Sequence, residues 1–251
     1  MSSQNQPNLR IPGPVPLPDD VLALAGSQMI NHRGPEYADM LDRMSKNLKT
    51  VFMTQNDVYF ITSSGTGAME TSIVNTISPG DKVLSIIIGA FGERYAEIAE
   101  AYGAEVTQLN FDLGQAADID KVQETLRGMS DVKAVIFTHN ESSTGVSNPL
   151  EELCKIIHQE SDALILVDAV SSAGGNKGQK PCMMRHSEKT SATTTRHCYT
   201  REETFSTSSD GLTGMMLLYL WGEVWGAFFW GGRGPGVKAK CVSTDTLKRQ
   251  R

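Results

Sequence analysis

The stretch DKVLSIIIGAFGERYAEIAEAYGAEVTQLN, residues 81–110, decides the fold. Its first third is a near-continuous apolar run, its middle places small and apolar residues three and four apart among charges, and its last third is again short and β-prone. That is a strand, a helix and a strand. A strand apolar at every position is buried on both faces, which is the habit of a parallel sheet covered by helices on each side. The same alternation extends in both directions. Upstream, DVYFIT reads as a strand and GAMETSIVNTI as a helix. Downstream, DIDKVQETLRG and PLEELCKIIHQE read as helices, with KAVIFTH and ALILVDAV as strands. Before this unit, PDDVLALAG reads as a short helix and PEYADMLDRMSKNL as a longer amphipathic one. The expected fold class is therefore α/β, a mostly parallel sheet with helices on both faces.

Composition sets the outer limits. The chain has 251 residues, 39% of them hydrophobic, and a formal net charge of −6. It can bury a substantial core, and with no block of like charge it carries no footprint for nucleic acid or a membrane surface. A small-molecule ligand is the expectation. The first eighteen residues are polar and then proline-rich, without the apolar run of a secretory leader, so a cytoplasmic location is expected. The cysteines at 154, 182, 198 and 241 lack zinc-ligand spacing and do not suggest a disulfide framework.

The pattern changes near residue 175. All fourteen isoleucines precede that point, whereas all three tryptophans and three of the four cysteines follow it. Three parts are expected: residues 1–34 as an arm with a short helix, 35–175 as a ligand-binding α/β domain, and 176–251 as a divergent tail. That tail is poorly ordered or foreign to the rest, through misjoining or a changed reading frame. Within it GLTGMMLLYLWGEVWGAFFWGG is apolar enough to raise the question of a membrane helix, but it carries Glu223 and six glycines that break it up. If no strands follow Asp168, one edge of the sheet is left bare and prone to association.

Chemistry concentrates in the turns. SSGTGAMETS, residues 63–72, sets small residues at a helix start, where unpaired N–H groups and the helix dipole favour an anion. It is neither a Walker loop nor a dinucleotide fingerprint. Ser64, Gly65 and Thr66 suit a phosphate; they equally suit plain helix capping. Asp168 ends an apolar strand at the sheet edge where α/β proteins gather ligands, and it either awaits a cation or caps the next turn. THNESSTGVSNPLEE adds a polar loop at that edge. Phe91 follows the strand at residues 81–88, as a core residue or as a ligand platform.

Taken together, PGPVPLP, MINHRGPEY, SSGTGAME, GAFGERYAEIAEAYGAEV, THNESSTGV and VDAVSSAGG resemble class V pyridoxal-phosphate aminotransferases of the alanine–glyoxylate and serine–glyoxylate type, over roughly residues 10–175. The resemblance implies the large domain of a fold type I enzyme that is incomplete at its C-terminus. It also implies a pyridoxal 5′-phosphate cofactor, amino acid and 2-oxo acid substrates, and a homodimer. It gives Ser64, Gly65 and Thr66 the phosphate, Phe91 and Val170 the two faces of the ring, and Asp168 the ring nitrogen. Ser142 takes the phenolic oxygen, with Thr144 supporting its loop. Residues 12–14 and 31–33 match segments near the substrate entrance and the partner subunit.

One element of the resemblance is missing. The family's Schiff-base lysine lies in a Ser-Gln-Lys motif one helix and one strand beyond the aspartate; residues 193–196 stand there instead and include no lysine. Lys180, in Gly178-Gln179-Lys180 only twelve residues after Asp168, is the one weak candidate. The expectation is an altered transaminase with little or no turnover. A silent cofactor-binding relative and another phosphate-binding α/β protein are the alternatives.

Overall fold

A computed structural model describes residues 11, 13, 15–173, 215–221 and 224–231. The described chain runs α1 (Asp19–Ala25), α2 (Pro35–Val51), β1 (Val58–Ile61), α3 (Gly65–Thr76), β2 (Lys82–Ile87), α4 (Ala90–Ala101) and β3 (Glu105–Asn110). It continues with α5 (Ile119–Arg127), β4 (Val132–Thr138), β5 (Asn140–Glu141), β6 (Val146–Ser147), α6 (Leu150–Glu160) and β7 (Leu164–Asp168), then β8 (Met215–Trp221) and β9 (Val224–Gly231).

Seven strands form one sheet in the order β1-β8-β9-β7-β4-β2-β3, and β9 alone runs against the rest. The apolar strands β2, β4 and β7 lie side by side near its centre, whereas β3, mostly exposed, forms an outer edge. Alternation along the central strands divides the core in two. Leu84, Ile86, Val135, Phe137, Ile165 and Val167 join Val122 and Leu126 of α5 and Leu153 and Ile157 of α6 in one cluster. Val83, Ala134, Ile136, Leu164 and Leu166 join Met69 and Ile73 of α3 and Tyr95 and Ala99 of α4 in the other. The two faces of the sheet are thus covered by different helix pairs. Each fully buried aliphatic or aromatic side chain contributes on the order of 1.5–3 kcal/mol, which makes these two layers the main source of stability.

The elements before Asp168 follow the sequence reading to within a few residues. Differences lie where local pattern is weak. The two-residue ladder β5–β6 closes the ESSTG turn and is too short to show in periodicity. The sheet edge expected to be bare beside Asp168 instead pairs with β9, Asp168 standing opposite Phe228, and the apolar segment considered for a membrane helix forms β8 and β9. No helix among the described residues is long and apolar enough to cross a membrane. Cys154, buried in α6, is disulfide-bonded, which the scattered cysteine spacing did not indicate; its partner lies outside the described residues.

Candidate active site

Because β1, β2, β4 and β7 all point the same way, the turns that follow them leave from one edge of the sheet. These are residues 62–64, 88–89, 139–149 and 169–173, and they hold Ser64, Ser142, Thr144 and Val170, with Gly65, Thr66, Phe91 and Asp168 flanking them.

Of the helices that begin at this edge, α3 and α4 have starts that differ in what they leave open. At α3, Ser64 is the N-cap and its hydroxyl accepts from the Gly67 N–H at 3.3 Å. The carbonyl of Ser64 takes the Ala68 N–H at 3.1 Å. The N–H groups of Gly65 and Thr66 make no hydrogen bond among the described residues. A Cβ on Gly67 would stand 2.7 Å from Ser63 Oγ and 2.9 Å from Ser63 Cβ, so Ser63 would have to shift to admit a side chain there. A positive helix end with two unused donors and a part-exposed serine can hold an anion.

At α4 the equivalent donors are already taken. Ala90 N–H donates to Ser143 Oγ at 3.1 Å, Phe91 N–H to Glu141 Oε1 at 3.3 Å, and Gly92 N–H to Glu141 Oε2 at 3.1 Å. Glu141 is fully buried and also accepts from Ser143 N–H, Ser143 Oγ and Thr138 Oγ1, at 3.2, 2.6 and 3.4 Å. The protein's own carboxylate occupies this helix end, whereas the start of α3 keeps two unused donors among the described residues.

Asp168 ends β7 on the same sheet face as Leu164 and Leu166, the face covered by α3 and α4. It is 6% exposed, and its only side-chain hydrogen bond among the described residues is from Val170 N–H to Oδ1 at 2.9 Å. Burial raises its carboxyl from the ordinary 3.8 to about 7; the Val170 N–H offsets this in part, and the negative Glu141 adds to it. A buried acid in this state is a strong acceptor for a cation or a protonated nitrogen. Nearby, the fully buried Tyr95 of α4 and Ser72 of α3 are joined hydroxyl to hydroxyl at 2.6 Å. Burial pushes the Tyr95 hydroxyl up, and the charge of Asp168 adds to that.

The remaining candidates lie on the turns and helix start at the same edge. Phe91 and Val170 both pack, half-buried, against the α3–α4 cluster, with Ala68 one of its buried members. The Arg94 guanidinium lies 5.6 Å from the centre of the Phe91 ring, within cation–π range. Ser142 Oγ donates to Ser171 Oγ at 2.9 Å, and the Asn140 amide donates to the same oxygen, so the ESSTG turn is tied to the turn after Asp168. Thr144 reaches Ile88 O at 3.5 Å. Gly145 takes φ +72°, a left-handed conformation that closes this turn. The structure thus groups Phe91, Ser142, Thr144, Asp168 and Val170, and links them to Ser64, Gly65 and Thr66 through the body of α3. Lys180, Pro12 and Pro14 lie outside the described residues.

Sequence reasoning passed over Glu141, Tyr95, Ser72 and Ser171. Glu141 stood beside Ser142 in a motif already noticed; what hid it was its partners, fifty residues away in the chain. No cluster of metal-ligating side chains occurs among the described residues.

Comparison with known proteins gives a consistent result. The sequence profile of the Aminotransferase class-V family matches residues 20–179, more than half of the chain. An uncharacterised aminotransferase of Methanocaldococcus jannaschii is 45% identical over 168 residues, covering 67% of this chain and 43% of that protein. The alanine–glyoxylate aminotransferase of Oryctolagus cuniculus is 38% identical over 165 residues, covering 65% and 42%. The crystal structure of an alanine–glyoxylate aminotransferase from Nostoc sp. superposes with a TM-score of 0.68 at 23% identity, covering all of this chain and 58% of that one. The match spans less than half the length of these curated relatives.

Proposed function

Because the chain belongs to the aminotransferase class-V family, we propose that it is the cofactor-binding part of a pyridoxal-phosphate-dependent transaminase, one that moves an amino group from a small amino acid such as alanine or serine to glyoxylate or pyruvate. The residues fit the cofactor at both of its charged ends. Gly65 and Thr66 offer unused N–H groups to a phosphate, with Ser64 beside them. Asp168, buried and unpaired with any basic side chain among the described residues, suits the protonated ring nitrogen. This acid is the observation that carries the reading.

When bound, pyridoxal phosphate supplies an electron-withdrawing ring that stabilises negative charge at the substrate's α-carbon. The protein's part is to bind, orient and shield. Asp168 would hold a proton on the ring nitrogen, Phe91 and Val170 would cover the ring and exclude water, and Ser142, with Thr144 bracing its turn, would swing its hydroxyl from Ser171 to donate toward the phenolic oxygen. No lysine stands on any of the four turns at this edge. Lys180 remains the single candidate for covalent attachment, and this chain by itself is proposed to hold the cofactor non-covalently with little or no turnover. The complete protein is proposed to work as a homodimer in the cytoplasm.

The test is titration of the purified chain with pyridoxal phosphate, followed by absorbance before and after borohydride and by mass spectrometry. Saturable binding that dialysis reverses, and that Asp168→Asn weakens, is the expected result. Absence of binding overturns the cofactor reading. Capture of the cofactor on one lysine by borohydride overturns the proposal of low turnover.

A further inference from the structure

Glu141 takes in five hydrogen bonds on two carboxylate oxygens, from three separate pieces of chain: the α4 start, the end of β4 and the ESSTG turn. We infer that Glu141 is a positioning residue of the cofactor site, fixing the helix start that carries Phe91 against the turn that carries Ser142 and Thr144. The inference rests on the reading that this edge takes pyridoxal phosphate.

Four observations carry it beyond an ordinary helix cap. An N-cap is local, within a few residues of the N–H groups it satisfies, whereas Glu141 is 50 residues from Phe91 and couples two ligand-bearing segments. The contact has no slack, because a Cβ on Gly89 would stand 2.5 Å from Glu141 Cγ and 2.6 Å from Ser143 Oγ. Ser143 relays the clamp, donating to Glu141 and accepting from Ala90 N–H. Finally, Glu141 Oε2 bonds Thr138, which stands opposite Asp168 in the β4–β7 register, so the clamp is seated against the strand pair that holds the ring-nitrogen partner. Neither carboxylate is paired with a basic side chain among the described residues.

The experiment compares the full chain with Glu141→Gln, Ser143→Ala and Phe91→Ala, alone and combined, for binding of pyridoxal phosphate and of inorganic phosphate. Glutamine keeps the size but turns an NH2 group toward N–H or O–H donors. E141Q is expected to weaken pyridoxal phosphate at least about tenfold and to leave inorganic phosphate, held at α3, within about twofold. S143A should show a smaller loss in the same direction. In ligand-free E141Q, amide exchange should quicken together at Phe91, Gly92 and Ser143 but not in α5 or α6. Adding F91A to E141Q should cost less than the sum of the two, since one acts through the other. Unchanged cofactor affinity in E141Q, equal loss of both ligands, or additive losses each overturn the inference. If E141Q does not fold, S143A decides it by the same criteria. A wild-type chain that binds no pyridoxal phosphate overturns the cofactor reading and this inference with it; a wild type that binds, beside an unaffected E141Q, overturns this inference alone.

Discussion

Gly89 and Glu141 touch so closely that neither has room to move: the ideal Cβ position of Gly89 lies 2.5 Å from Glu141 Cγ. The backbone at Gly89 has φ 166°, an extended conformation open to any residue, so the requirement for glycine is steric. Glu141 cannot retreat, because it is fully buried and five hydrogen bonds hold it. Gly89→Ala is therefore expected to destabilise the chain by about 1–3 kcal/mol, the usual range for overpacking. Urea denaturation of the two proteins checks this; equal midpoints would show that the clamp yields.

Asp168 makes stability depend on pH in the direction opposite to a salt-bridged acid. Its folded pKa of about 7 exceeds the ordinary 3.8, with burial the largest cause. Below about pH 4 both folded and unfolded states hold the proton, and the group costs nothing. As pH rises, the unfolded chain ionises first, and stability is lost until the folded group also ionises near 7; above that the loss is constant. At about 1.4 kcal/mol per tenfold change in proton affinity, the full cost is at most about 4 kcal/mol. Asp168→Asn keeps an oxygen for the Val170 N–H and removes the cost. The ligand-free variant should be more stable than the wild type at pH 8, with the gap closing toward pH 4, and should bind pyridoxal phosphate more weakly. Thermal melts across that range would refute the assignment if the two curves run parallel.

Ser85 lies on β2 between β3 and β4, fully buried, and its hydroxyl has no hydrogen-bond partner among the described residues. It stands beside Ile136 in register, with apolar neighbours above and below along the strand. A buried hydroxyl without a partner forfeits its hydration, a cost of about 1–3 kcal/mol. Ser85→Ala is expected to raise stability by about 1 kcal/mol after the small loss of packed volume. A melting temperature equal to or below that of the wild type contradicts this.

Most of this architecture could be read from sequence because each element carries its own local cause. β2, β4 and β7 are predominantly apolar since both faces are covered; α3 and α5 are announced by Ser64 and Asp118, whose side chains cap them. β1 was legible as a strand, but its distance from β7 was not, because β8 and β9, which stand between them, come from beyond the change of pattern near residue 175. At the site, the residues that present a recognisable type at a turn, such as Asp168 and Ser64, were visible. Those whose role lies in pairing across the fold were not: Ser72 with Tyr95, 23 residues apart, and Glu141 with the α4 start. Spacing within one element carries no information about such pairs.

Ser64 has two separable duties, and its substitution distinguishes them. As N-cap of α3 its hydroxyl accepts the Gly67 N–H, and removing a serine cap costs about 1 kcal/mol. In the proposed anion site it stands beside the unused N–H groups of Gly65 and Thr66. Ser64→Ala should therefore lower stability modestly and weaken both inorganic phosphate and pyridoxal phosphate, whereas Ser64→Asp should keep the cap and repel the phosphate by charge. Binding of pyridoxal, which has no phosphate, should change little in either variant. Fluorescence titrations with the three ligands decide it: equal weakening of pyridoxal and pyridoxal phosphate in Ser64→Asp would place the phosphate elsewhere, because only a charge adjacent to the anion can discriminate between ligands that share the same ring.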